Sequence, residues 1–182
     1  MALMNKKTAW VFRYLLLPVM LLFLAHSCAR APRFTFTGIS LSPDIKTFSV
    51  ENFFNDALDG PADMGIRFTE SLREYYQRNT PLRQITSAGD LQFSGRITRY
   101  DVRPVAAGAQ ETQGAQLQRL SITVSVDYIN IYEDEKSFQN SAFSFFEDFP
   151  ANRNLADVEN DLIRNIFEQI IFDIFNKTVA DW

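Results

Sequence analysis

The chain is 182 residues long, with 18 basic residues, 22 acidic ones, one histidine and one cysteine. A net charge of −4 argues against nucleic acid as a partner, because such binding rests on neutralising phosphates with Lys and Arg. A single cysteine cannot form an internal disulfide, and a single histidine leaves little room for imidazole catalysis or metal ligation.

Lys6, Lys7 and Arg13 give the chain a basic start, and Tyr14 to Ala25 is an apolar run interrupted by Pro18. The run is about a dozen residues, short of the ~20 that span a bilayer as a helix. Small residues at Ala25 and Ser27 complete the pattern of a secretory signal. The cysteine directly after it, Cys28, makes this a lipoprotein signal in which the thiol is acylated and becomes the mature N-terminus. Ala25 and His26 stand where Leu and a small residue are usual. Plain secretion with a leftover thiol is the alternative, and an unpaired cysteine is rare in a secreted protein.

Cleavage before Cys28 removes three basic residues and the only histidine, leaving 15 basic against 22 acidic residues and a net charge of −7. The mature chain of 155 residues is the size of one domain with a core of its own. It carries no GxSxG elbow, P-loop or GxGxxG, and no histidine for a Ser-His-Asp or Cys-His system. Serine–lysine or paired-carboxylate chemistry stays formally open. No metal or organic cofactor is implied.

Residues 29–37, ARAPRFTFT, read as a basic tether without an acidic residue, so the chain divides into a signal (1–27), an acylated tether (28–37) and a folded domain (38–182). Within Ile45 to Phe53, Phe48 and Val50 share a face at period two and mark the first strand. Asn55, Asp56, Asp59, Gly60 and Pro61 then predict a loop. Pro61 opens a helix, in which Met64, Phe68, Leu72 and Tyr76 form an apolar stripe; Pro81 ends it.

From Asp90 to Pro104 the residues Leu91, Phe93, Gly95 and Ile97 alternate, and the apolar parity then slips to Tyr100 and Val102. The slip predicts a bulge near Thr98 and Arg99, and Gly95 points to the same irregularity or to a close backbone approach. Leu120 to Tyr128 alternates without fault, one face apolar and one polar. A Gly-, Ala- and Gln-rich loop from Ala106 to Gln118 precedes it. Phe138 to Phe149 is the last strand, with Phe143 and Phe145 facing one way and Phe146 the other. Asn154 caps the final helix, whose broad stripe includes Leu162, Ile166, Ile170 and Ile174, with Phe172 left as an exposed contact. The order β-α-β-β-β-α predicts an α+β two-layer sandwich, two helices on one face of a roughly four-stranded, mostly antiparallel sheet.

Arg96, Arg99 and Arg103 surround the bulge. They serve either as solvated charges protecting a sheet edge or as a patch for an anionic ligand.

The segments FTGISLSPDIKTFSVENFFN (36–55), FTESLREYYQRNTPL (68–82) and GDLQFSGRITRYDVRP (89–104), together with the terminal helix, resemble the LptE family. The resemblance covers nearly all of residues 34–182, with its stations in order. It implies a non-catalytic lipoprotein of a Gram-negative outer membrane, lipid-anchored through Cys28 and facing the periplasm. It further implies a domain lodged in the lumen of the LptD barrel, aiding the barrel's assembly and the delivery of lipopolysaccharide to the outer leaflet. The partners so implied are an LptD-like β-barrel, lipopolysaccharide itself and the membrane. The rival is a free periplasmic lipoprotein that binds a lipid or peptide between helices and sheet.

Overall fold

The computed structural model describes residues 41–105 and 116–179. The expected signal, Cys28, the expected tether and residues 106–115 of the expected loop lie outside them. The elements in chain order are β1 (Thr47–Val50), β2 (Phe54–Asn55), α1 (Met64–Asn79), β3 (Arg83–Gln84), β4 (Leu91–Val105), β5 (Leu117–Asn130), β6 (Phe138–Pro150) and α2 (Leu155–Val179).

The strands form one sheet of six in the order β3-β1-β4-β5-β6, with β2 beside β4. The two long pairings, β4 with β5 and β5 with β6, are antiparallel. The three short ones, β1 with β3, β1 with β4 and β2 with β4, are parallel. The α+β two-layer reading stands, with six strands in place of four and a mixed sheet. Both additions are two-residue strands. β2 occupies the start of the segment expected to be loop, and β3 follows α1 directly.

Along β4 the ladder shifts between Ile97 and Arg99, leaving Thr98 as the extra residue where the parity slip predicts a bulge. Leu91, Phe93, Ile97 and Tyr100 therefore all reach the core, as do Leu120, Ile122, Val124, Val126 and Tyr128 of β5. The helices cover this face. Met64, Phe68, Leu72 and Tyr76 of α1 are fully buried, and so are Ile163, Ile166, Ile170 and Ile174 of α2. Each such side chain contributes about 1.5–3 kcal/mol by leaving water. Aromatic rings fasten the layers, with Phe68 edge-on to Phe167 at 5.0 Å and Phe93 between Tyr76 at 4.8 Å and Tyr128 at 5.0 Å.

α1 begins three residues after Pro61, whose carbonyl accepts the Met64 N–H, so the proline lies in the turn that leads into the helix. It ends at Asn79, before Pro81, as expected. α2 starts after Asn154, whose side chain accepts from the Ala156 N–H at 3.4 Å. Two glycines permit the layers to meet. A Cβ on Gly65 would stand 2.3 Å from the Phe53 carbonyl oxygen, and one on Gly95 would stand 2.2 Å from that of Ser125 and 2.7 Å from the Phe53 ring. Gly95 thus marks a close approach, and the irregularity of β4 lies three residues further on.

Candidate interaction face

The face of the sheet turned away from the helices is polar. The bulge at Thr98 keeps the charges of β4 on it: Arg96 before the bulge, then Arg99, Asp101 and Arg103 after it. Register extends this into rows across three strands. Arg96 faces Ser125 and then Ala142; Arg99 faces Thr123 and then Ser144. Asp101 faces Ser121 and then Phe146; Arg103 faces Arg119 and then Asp148.

The three arginines singled out from the sequence therefore share one face, and Arg119 of β5 joins them. Ion pairs offset most of the positive charge. Arg96 Nη1 lies 3.2 Å from Asp56 Oδ2, and Arg103 Nε lies 2.6 Å from Asp101 Oδ2. Arg119 makes a fork, Nε to Asp148 Oδ1 at 2.7 Å and Nη2 to Oδ2 at 2.8 Å. The hydrogen bonds from Arg119 hold the Asp148 carboxyl below its ordinary range, and the same contact raises the guanidinium further. Among the described residues Arg99 makes no ion pair.

The Arg119 guanidinium also lies 3.6 Å over the ring of Phe146, which is 45% exposed. Phe146 thus faces out as its parity predicts, while Phe143 and Phe145 pack against the core. Thr123 and Ser144 share a hydroxyl–hydroxyl bond of 3.0 Å in the middle of the face. The arrangement offers guanidinium donors, hydroxyls and one aromatic ring, which suits a wet, polar contact. Among the described residues no group of three or more His, Cys, Asp or Glu side chains comes together as a metal site. No helix among them is long and apolar enough to cross a membrane.

Arg119 escaped sequence reading because it is the residue before the clean alternation begins at Leu120. Extending that alternation back by one residue assigns it to the polar face. Only the hairpin register, Arg103 opposite Arg119, brings it beside the others. Phe172 stands on the flank of α2, 46% exposed, in agreement with its place beside the stripe.

A model of the LptE family, described as lipopolysaccharide-assembly, matches residues 45–178. The chain belongs to the LptE family. That makes it a lipopolysaccharide-assembly protein, from a family that is not enzymatic. Solved structures similar to this LptE-family chain include a minor lipoprotein from Acinetobacter baumannii, at 16% identity, covering 72% of this chain and 91% of that one, with a TM-score of 0.45. Rare lipoprotein B from Shewanella oneidensis is similar at 13% identity, with 72% and 90% of the two chains covered and a TM-score of 0.42. An uncharacterized lipoprotein B from Nitrosomonas europaea is similar at 9% identity, with 80% and 87% covered and a TM-score of 0.46. Comparison with curated proteins returns no match.

Proposed function

We propose that this LptE-family chain is a non-catalytic lipoprotein of a Gram-negative outer membrane, anchored through Cys28 on the periplasmic side. There it plugs and helps assemble an LptD-like lipopolysaccharide-export barrel and assists delivery of lipopolysaccharide to the outer leaflet. One observation carries the reading. The sheet buries one face under both helices and leaves the other, three long strands wide, lined by Arg96, Arg99, Arg103, Arg119 and hydroxyls. A domain packed this way suits a water-filled lumen, where contacts are polar and the core must be complete without the partner. The arginines are the proposed contacts to the barrel wall or to the anionic part of lipopolysaccharide.

A ligand held between helices and sheet has less support. It would have to displace Phe68, Tyr76, Phe93 and Phe167, which fill that space. The test is site-specific photo-crosslinking in cells. Probes at Arg96, Arg99 and Arg103 are expected to trap a large β-barrel in roughly one-to-one stoichiometry, and a probe at Val124, inside the core, is not. Normal lipopolysaccharide export after depletion, with no barrel trapped at any exposed position, would overturn the reading.

A further inference from the structure

One end of the domain presents three partly exposed apolar side chains. Ile129, Ile131 and Tyr132 are 43%, 54% and 52% exposed, at the close of β5 and in the turn that follows. The turn is built rather than loose. Asn130 is buried, and its side-chain oxygen accepts from the N–H groups of Tyr132 and Glu133 at 3.0 and 3.1 Å. Its amide donates to Glu133 Oε2 at 3.2 Å. That scaffold turns Ile131 and Tyr132 outward.

The chain reaches the sheet at this same end. The Ile131 N–H donates to the Asp90 carbonyl at 3.1 Å, while the Asp90 carboxylate accepts from the backbone N–H groups of Lys46 and Thr47, each at 2.8 Å. The tip and the start of β1 are thus tied to one residue. Twelve residues separate Cys28 from Leu41, the first described residue. They reach at most about 45 Å fully extended, and a flexible chain of that length has a root-mean-square span of about 20 Å.

We propose that this end docks on a zwitterionic phospholipid surface, with Ile131 and Tyr132 entering the headgroup region. The proposal rests on the reading of Cys28 as the acylated anchor and describes the anchored chain before it meets its barrel. An aromatic ring with a polar tip beside an aliphatic side chain suits the membrane–water boundary. Such a small tip adheres weakly alone, but a short tether holds it at high effective concentration over the bilayer. Charge selects the kind of surface. Glu133, Asp134 and Glu135 against Lys136 give the turn a net negative charge that an anionic bilayer would repel.

The test uses the acylated mature chain carrying Tyr132→Cys with a polarity-sensitive fluorophore. Acylation consumes the thiol of Cys28, so the label is unique. In phosphatidylcholine vesicles containing headgroup-spin-labelled lipid, the label at 132 is expected to shift blue and be quenched. The same label at Leu58→Cys, an equally apolar and fully exposed position, is not. Adding Ile131→Asp is expected to abolish the quenching at 132, and replacing part of the neutral lipid with phosphatidylglycerol to weaken it. A label at 132 quenched no more than the one at 58 overturns the docking. So does a label already shielded without lipid in the mature Cys28→Ala chain, which would assign the tip to a second copy. Flotation and fatty-acid incorporation read the anchor separately. A chain that floats with an unquenched tip refutes the docking alone, and a chain that takes no fatty acid refutes the anchor and the proposal with it.

Discussion

The hydroxyl of Tyr76 meets that of Thr178 at 2.5 Å in the interior of the domain, 102 residues apart in sequence. Thr178 Oγ1 donates to the Ile174 carbonyl at 2.8 Å, so the tyrosine supplies the proton between them. Tyr128 of β5 reaches the Thr178 carbonyl from the sheet at 3.4 Å. One threonine near the end of α2 thereby ties together both helices and strand β5.

Two substitutions at that junction separate its parts. Thr178→Val keeps the shape but strands the fully buried Tyr76 hydroxyl, at a cost of about 1–3 kcal/mol. Tyr76→Phe leaves Thr178 bonded to Ile174 and is expected to cost about 0.5–1.5 kcal/mol. Urea denaturation of the two variants should rank them in that order, and the reverse order would contradict the assigned proton.

Alkaline pH offers a second check. Burial pushes the phenols of Tyr76, Tyr100 and Tyr128 upward, and for Tyr100 the hydrogen bond to Glu159 adds to the effect. Each phenol is raised in the folded state above its unfolded value of about 10. Its stabilising contribution is therefore complete below about pH 10 and is lost as pH rises toward the folded value. Urea midpoints measured from neutral to strongly alkaline pH should fall only beyond that point, and less steeply in Tyr100→Phe.

Gly95→Ala should be far costlier than an exposed strand substitution. Its Cβ would meet the Ser125 carbonyl at 2.2 Å and the Phe53 ring at 2.7 Å, so strand and ring must both shift. The expected loss is roughly 1–3 kcal/mol, which at 2–4 °C per kcal/mol lowers the melting temperature by about 2–12 °C. Thermal unfolding followed by circular dichroism reads it directly.

Replacing Arg96, Arg99 and Arg103 together by Ala should leave the fold nearly intact, because each exposed change costs within about 0.5 kcal/mol. On the proposed function the same triple variant loses co-purification with the barrel. Unchanged capture of the barrel would remove these arginines from the contact.

The length of β4 and its bulge were legible because a buried face imposes period two, and the slip from Ile97 to Tyr100 betrays the extra residue. β2 and β3 were not legible. Two residues cannot display a period, and both strands exist through backbone pairing with β4 and β1 rather than through an apolar pattern. β1 was only half legible, because Ser49 is buried as well, accepting from the Gly89 N–H at 3.1 Å. At the polar face the arginines of β4 could be assigned a side once the bulge was recognised. Arg119 needed the register, which the segment between Val105 and Leu117 conceals, since β5 begins two residues inside the loop expected from Ala106 to Gln118.

The parallel pairing of β1 with β4 carries a consequence for a chain synthesised from its N-terminus. Phe48 and Val50 find their partners Leu91 and Phe93 only after 43 further residues have emerged. The ring of Tyr76 waits 102 residues for Thr178. β4, β5 and β6 by contrast pair with neighbours in sequence, where loop closure costs less. The opening strand, which carries Phe48 and Val50, is thus made before any of its sheet partners exist, an interval in which its uncovered apolar side chains favour aggregation.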